Sequence, residues 1–279
     1  MTKLLSANFS RLMRDKMFWL VSAFIFILSA FMITKSGMSV SDIDTENNVK
    51  TLNAVYFNIL PIISFFYAVF ISFFIGTDYS DGTIRNKIVI GHSRTDIYFV
   101  NYITCFTGSL VILTAMLIGC AFGVPFFGYW QGGIKAYLLV ALLCVLITAV
   151  LTAILTMISM LSSNKAITVV LTIAVSLALV LIASSIYNVL LEPEFSRDFV
   201  SLSADGEAVF GPEKPNPAYV TGWERKIDEW LLQFLPTGQN ILIANEEITN
   251  PLINILYSVL LTAAVNICGV FAFRKKDLK

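Results

Sequence analysis

The chain is expected to fold as an all-α polytopic membrane protein, and two features of the sequence lead there. Six stretches, Met17–Thr34, Ala54–Gly76, Ile97–Phe122, Ala136–Leu161, Ala166–Leu191 and Pro251–Phe273, contain no Asp, Glu, Lys, Arg or His. They run for 18, 23, 26, 26, 26 and 23 residues, against the roughly 20 helical residues that cross a hydrocarbon core. The 279-residue chain is also 57% hydrophobic and 14% charged, with a mean hydropathy of +0.77, too apolar for a soluble domain of this size. Lipid cannot satisfy free backbone amides, so spans are helices or closed barrels, and unbroken apolar runs select helices. One transmembrane domain over residues 1–279 is expected, with spans at 17–34, 54–76, 97–122, 136–161, 166–191 and 251–273.

The positions of lysine and arginine set the orientation. Lys3, Arg11, Arg14 and Lys16 precede the first span, and Arg85, Lys87 and Arg94 lie between the second and third. Lys165 separates the fourth and fifth, and Arg274, Lys275, Lys276 and Lys279 follow the sixth. If six spans alternate, these 12 basic residues share one side, and short basic loops stay cytoplasmic. Both termini are therefore expected in the cytoplasm. The other side receives Asp42, Asp44 and Glu46, the charge-free loop Gly123–Gly133, and the long segment Glu192–Asn250. In that last segment 11 acidic residues face only Arg197, Lys214, Arg225 and Lys226.

Several function classes drop out on composition. Net charge is zero and no basic tract interleaves with aromatics, so membrane lipid and not nucleic acid is the expected surrounding. Cys105, Cys120, Cys144 and Cys268 all lie within spans, which implies buried apolar side chains and no disulfide framework. His92 is the only histidine and has no Cys, His or carboxylate cluster at ligand spacing, so no metal site is expected. The uncharged spans argue against a proton-coupled carrier, which needs an ionisable intramembrane group. They equally deny an intramembrane hydrolase its general base. The first span is expected to be a retained anchor, because its apolar run is longer than a signal peptide's and no small-x-small cleavage site follows.

Within Thr2–Lys16, Leu5, Phe9, Leu12 and Met13 fall on one helical face with Lys3, Arg11 and Arg14 toward the other, a pattern for an interfacial helix. Residues 76–96 form the most polar stretch on the basic side, where a short helix between two turns would suit docking, or simply a solvated topology-setting loop. Ser93 or Thr95 is placed to cap the third span. Hydroxyl and amide residues recur every four positions: Thr148, Thr152 and Thr156 on the fourth span; Thr168, Thr172 and Ser176 on the fifth; Asn254, Ser258, Thr262 and Asn266 on the sixth. Such spacing puts each set on one helical face, either packing helices together or lining a polar translocation path. In residues 192–250, Phe195–Tyr219 is rich in Pro, Gly and Asp and expected to be irregular. Trp223–Leu235 carries Ile227, Trp230, Leu231 and Phe234 at helical spacing, Pro236 stops it, and Ile241–Ala244 adds a short apolar piece. Two amphipathic helices resting on the outer interface or dipping into it would account for that order, as would an ordinary surface subdomain.

Two patches carry a family resemblance: Asp78-Tyr79-Ser80-Asp81-Gly82-Thr83-Ile84-Arg85-Asn86-Lys87 with Ser93-Arg94, and Phe234-Leu235-Pro236-Thr237-Gly238-Gln239. With the amphipathic lead helix and six spans, they resemble the membrane subunits of type-2 ABC exporters, the bacitracin-, lantibiotic- and sodium-export-type permeases of bacterial plasma membranes. Asp78 stands where many relatives have Glu, and the Phe195–Tyr219 insert is longer than is usual for them. The resemblance implies a permease subunit that moves a peptide, an antibiotic or a lipid-like molecule, and residues 76–96 as a coupling loop seated on an ATPase. Asp78, Asp81, Arg85, Lys87 and Arg94 would be its polar contacts, and Trp223, Trp230, Phe234 and Pro236 would belong to an external lid. The chain contains no GxxxxGK[ST] phosphate loop, so it is not expected to be an enzyme and binds no cofactor itself. ATP and Mg would sit on a partner ATPase in two copies, beside a second permease copy or a paralogue. The alternative is a sensor or immunity subunit that captures an extracellular cationic peptide on its acidic segment without transporting it.

Overall fold

The computed structural model describes residues 1–41, 55–127, 133–197, 199–202 and 208–277. Eleven helices occur among them: α1 (Thr2–Arg14), α2 (Lys16–Ser41), α3 (Ile63–Ser80), α4 (Thr83–Val89), α5 (Arg94–Cys120), α6 (Val124–Phe127), α7 (Gly133–Leu161), α8 (Lys165–Leu191), α9 (Gly222–Phe234), α10 (Pro236–Ala244) and α11 (Pro251–Lys275). Six of these, α2, α3, α5, α7, α8 and α11, are long and apolar enough to cross a membrane, so the chain is an all-α, multi-pass membrane protein.

Helix ends follow from local chemistry. Ser93 caps α5 by accepting from the Asp96 amide, and the Asn164 side chain accepts from the first amides of α8, each satisfying donors that no helix can. The second span starts later than expected. Its helix enters through a 3-10 turn at Leu60–Ile62 that holds Pro61, because a first turn has no helical acceptor for the amide that proline lacks. It also continues past Gly76 to Ser80, so that Asp78, expected in the loop 76–96, lies in the last turn of this helix.

α3 is the hub of the bundle, packing against α2, α5, α7 and α8. Tyr67, Phe70, Ile71 and Phe74 on it are fully buried. The first span crosses α5, and α11 lies along α7. α8 and α11 leave broad apolar faces uncovered, with Leu181 67% and Leu252 75% exposed, as helices turned toward lipid do. α1 packs on α5 through Leu4, Asn8 and Leu12. Met13, expected on that apolar face, is instead 58% exposed, and Asn8 takes a buried place.

The segment after α8 holds two surprises. The stretch expected to be irregular forms two small antiparallel pairs, β1 (Phe195–Ser196) with β4 (Lys214–Pro215) and β2 (Phe199–Leu202) with β3 (Ala208–Phe210). Arg197 pairs with Glu213 across it at 2.5 Å. The expected acidic loop of Asp42, Asp44 and Glu46 lies outside the described residues.

Pro236 ends α9 and, in the same step, starts α10, making a helical hairpin. Arg225 at the head of α9 bonds the Leu190 carbonyl at 3.2 Å, whereas Thr237 at the bottom bonds the Leu179 carbonyl at 2.8 Å. Eleven residues of α8 separate those contacts, so the hairpin runs about 16 Å along that helix at 1.5 Å per residue. It therefore dips along the bundle rather than resting on its end, and every residue of α10 is buried. Ser258 of α11 donates to the Gln239 side chain at 3.0 Å and the Gln239 amide to the Gln233 carbonyl at 2.8 Å.

Candidate functional site

The richest polar cluster lies where α1, α3, α4, α5 and α7 meet, and its centre is Asp78. That carboxylate is 1% exposed. Oδ1 pairs with the Arg11 guanidinium, Oδ2 with Lys87 Nζ at 3.1 Å, and the Thr83 hydroxyl donates to Oδ1. Lys87 also donates to Asn8 Oδ1 at 3.2 Å; Asn8 Nδ2 donates to Asn101 Oδ1 at 2.8 Å; and Asn101 Nδ2 reaches Met160 Sδ at 3.4 Å. One continuous chain of polar contacts thus links the lead helix, the short helix and three spans. Arg11 further stacks 3.9 Å over the Phe74 ring, a cation–π contact that offsets part of its desolvation. Burial, and then the neighbouring Arg11, press the Lys87 ammonium down to about 8, while the Asp78 carboxylate beside it acts in the opposite sense.

A second knot closes the same end. Arg94 at the head of α5 donates to the carbonyls of Phe273, Arg274 and Lys276 at the foot of α11, satisfying acceptors a helix end leaves open. Lys276 Nζ donates to Tyr79 Oη at 3.0 Å and to the Met160 carbonyl at 3.1 Å, and the Tyr79 hydroxyl bonds that same carbonyl. Lys165 Nζ donates to Thr77 Oγ1 at 3.0 Å. The last turn of α3 therefore touches the ends of α7, α8 and α11.

Burial pushes the Lys276 amine down to about 8. The folded chain releases that proton near pH 8, whereas an unfolded lysine holds it to about 10.4. Between those values the unfolded state binds more protons, so this group makes stability rise with pH through that window. Acylation of Lys276, followed residue by residue with mass spectrometry, is expected to reach half its limiting rate near pH 8. A midpoint at the ordinary lysine value would show that the knot is open in solution.

Of the five residues expected to touch a partner, Asp78, Lys87 and Arg94 are turned inward by these contacts. Asp81 and Arg85 are exposed. α4 stands between Gly82 and Gly91, both with positive φ, 66° and 101°, a backbone that glycine adopts without strain. Ile84 anchors it from below at 1% exposed, while Val89 and Ile90 at its tip are 79% and 77% exposed. Asn8 and Asn101 are not among the residues the sequence singles out, and Tyr79 and Lys276 enter it only as members of the family patch and of the basic tail. Asn8 could have been, as an amide repeating at i, i+4 between Leu4 and Leu12 on an otherwise apolar face.

Most residues of the polar stripes are packed among the chain's own helices, while Thr262 and Asn266 line an open cleft with Phe99, Leu146 and Ile267. Thr148 bonds the Tyr67 hydroxyl at 3.0 Å and Ser176 bonds Ser64 at 2.9 Å, joining α7 and α8 to α3. Thr168 and Thr172 bond carbonyls of their own helix turn, as does Asn266 with Thr262. Thr152 and Thr156 are fully buried, and Asn254 is 2% exposed. At the opposite end Trp230 stacks on Phe234 at 5.1 Å and donates to the Tyr257 hydroxyl at 3.1 Å; Trp223 is 74% exposed and Pro236 is buried. Among the described residues no group of His, Cys, Asp and Glu could hold a metal ion.

A sequence family described as ABC-2 family transporter protein matches residues 4–181, nearly two thirds of the chain. It spans both polar knots except for Lys276 and the carbonyls of α11, and stops before the hairpin. No curated protein matches the chain.

Proposed function

Because the chain belongs to the ABC-2 family of transporter proteins, it is the permease subunit of an ABC transporter, a membrane transport component that works with an ABC ATPase, and we propose that α4 is where the ATPase grips it. The observation that carries this reading is the contrast between the two sides of that helix. Val89 and Ile90 offer an exposed apolar tip, while Lys87 and Ile84 root the helix in the Asp78 cluster. A force applied at the tip then reaches α1, α3, α5 and α7 through charge-assisted hydrogen bonds, which are stiffer than neutral ones. Asp81 and Arg85 frame the tip as polar contacts.

In this reading α4 and both termini face the cytoplasm of a bacterium, as the 12 clustered basic residues favour. ATP and Mg bind on two ATPase copies, and two permease chains, identical or paralogous, move between arrangements as the ATPases close. The direction is export and the cargo is a peptide, an antibiotic or a lipid-like molecule. Since most of the stripe residues are packed among the chain's own helices, a path for cargo would form between the two permeases or on rearrangement of these helices.

Co-expression with candidate ATPase subunits tests the docking. Each buried aliphatic side chain stabilises by about 1.5–3 kcal/mol, so V89D/I90D is expected to weaken ATPase co-purification by about a hundredfold or more. Melting of the permease alone should stay unchanged, since both side chains are exposed. Unaltered ATPase retention by V89D/I90D would remove α4 from the interface, and failure of every ATPase to co-purify with the wild type would leave the acidic hairpin side to be tested for peptide capture.

A further inference from the structure

The end of α8 and the two helices of the hairpin enclose a cleft of about 510 Å3, within the range of small-ligand sites. Leu190, Leu191, Leu232 and Leu242 form an apolar wall, and Arg225, Glu229 and Glu247 bring charge to the same space. Arg225 is incompletely used. Its Nη2 donates to the Leu190 carbonyl at 3.2 Å and its Nε faces Glu229 at 3.3 Å, but Nη1 is buried with no hydrogen-bond partner among the described residues. A guanidinium N–H withdrawn from water without an acceptor is costly, and an anionic oxygen in the cleft would satisfy it. Two carboxylates stand nearby, Glu247 holding the Tyr187 hydroxyl at 3.1 Å, so a simple anion meets repulsion unless it carries a cation with it.

Depth decides the kind of molecule. Trp223 and Trp230 on α9 are 74% and 48% exposed, and exposed tryptophans of membrane proteins gather at headgroup level. Leu191, at 56% exposed, opens the apolar wall toward lipid. We propose that this cleft binds an aminophospholipid of the surrounding leaflet, with its phosphate on Arg225 Nη1, its primary ammonium between Glu229 and Glu247, and its acyl chains along the leucines. The site lies beyond residue 181, where the family match ends, and its occupancy does not depend on what the transporter carries.

The test uses the full-length permease, stripped of lipid in detergent, with phosphatidylethanolamine, phosphatidylcholine and phosphatidylglycerol of identical chains, binding being read by native mass spectrometry. Phosphatidylethanolamine is expected to bind about tenfold more tightly than either of the others, because each lacks one charge-assisted partner in the cleft. R225Q should lower its retention about tenfold, and E247Q should abolish the preference over phosphatidylglycerol. Glu247 is exposed, so E247Q carries the test even if R225Q fails to fold. Equal retention of the three lipids by the wild type, or an unchanged preference in E247Q, overturns the proposal. So does glycerophosphoethanolamine binding as tightly as the intact lipid, an outcome that would assign the cleft to a soluble phosphoamine.

Discussion

Asp78→Asn is expected to destabilise the permease by about 3–5 kcal/mol, the cost of leaving buried charge without its counterion. Arg11 and Lys87 both converge on this carboxylate, and an amide would face two cations with no charge to offset them. For a chain of this size that loss lowers the melting midpoint by about 10 °C, measured by loss of the monodisperse peak on size exclusion after heating. If electrostatics and not shape is responsible, D78N/K87M recovers part of the loss, since one stranded cation is gone. A D78N protein that melts with the wild type would show that Arg11 and Lys87 find other partners. Function reports separately: in a purified complex, D78N below its melting point should retain ATPase binding at α4 while ATP turnover no longer responds to cargo.

The second large effect is expected at Gly238. A methyl group built there would collide with the backbone oxygen, carbon and Cα of Leu232, and backbone cannot rotate aside as a side chain can. Even Gly238→Ala must pry α10 from the foot of α9, at a cost of about 1–3 kcal/mol by the usual scale of overpacking. The loosened hairpin loses the Thr237 bond to Leu179 and the Gln239 bonds to Gln233 and Ser258. Tryptic cleavage at Arg225 and Lys226 in nanodiscs should become several-fold faster, because proteolysis tracks the population of opened states. Cleavage at the wild-type rate would mean that α9 sheds its contacts without the turn at Pro236 moving, and that the close approach is dispensable.

Within the candidate site, the sequence singles out residues 76–96, and the structure divides their charges between an inward and an exposed side. Residues 76–96 stand out because they interrupt apolar helices with turns and charge, and the short helix lies within them. Which of their charges turn inward is decided largely by distant partners: Arg11 for Asp78, Asn8 for Lys87, and the carbonyls at the foot of α11 for Arg94. Arg11 reads as a topology signal, Asn8 as a polar blemish, and Lys276 as one member of a basic tail. Nothing local distinguishes Lys87, which reaches Asn8 and Asp78, from Arg85, which is exposed.

The six spans, their helical nature and the basic side of the bundle follow from composition alone, since each rests on a local property: length of apolar run, absence of charge, position of lysine and arginine. Helix ends at Ser93 and Asn164 are equally local. Three features required the folded chain. Asp78 belongs to a span because Arg11 and Lys87 compensate it there; α10 sinks into the bundle because α8 and α11 supply partners for Thr237 and Gln239; and Thr148 and Ser176 of the hydroxyl stripes turn to α3 because Tyr67 and Ser64 receive them. Lipid tolerates a polar group only where another part of the protein answers it, and that answer comes from residues distant in sequence, where no local pattern can reveal it.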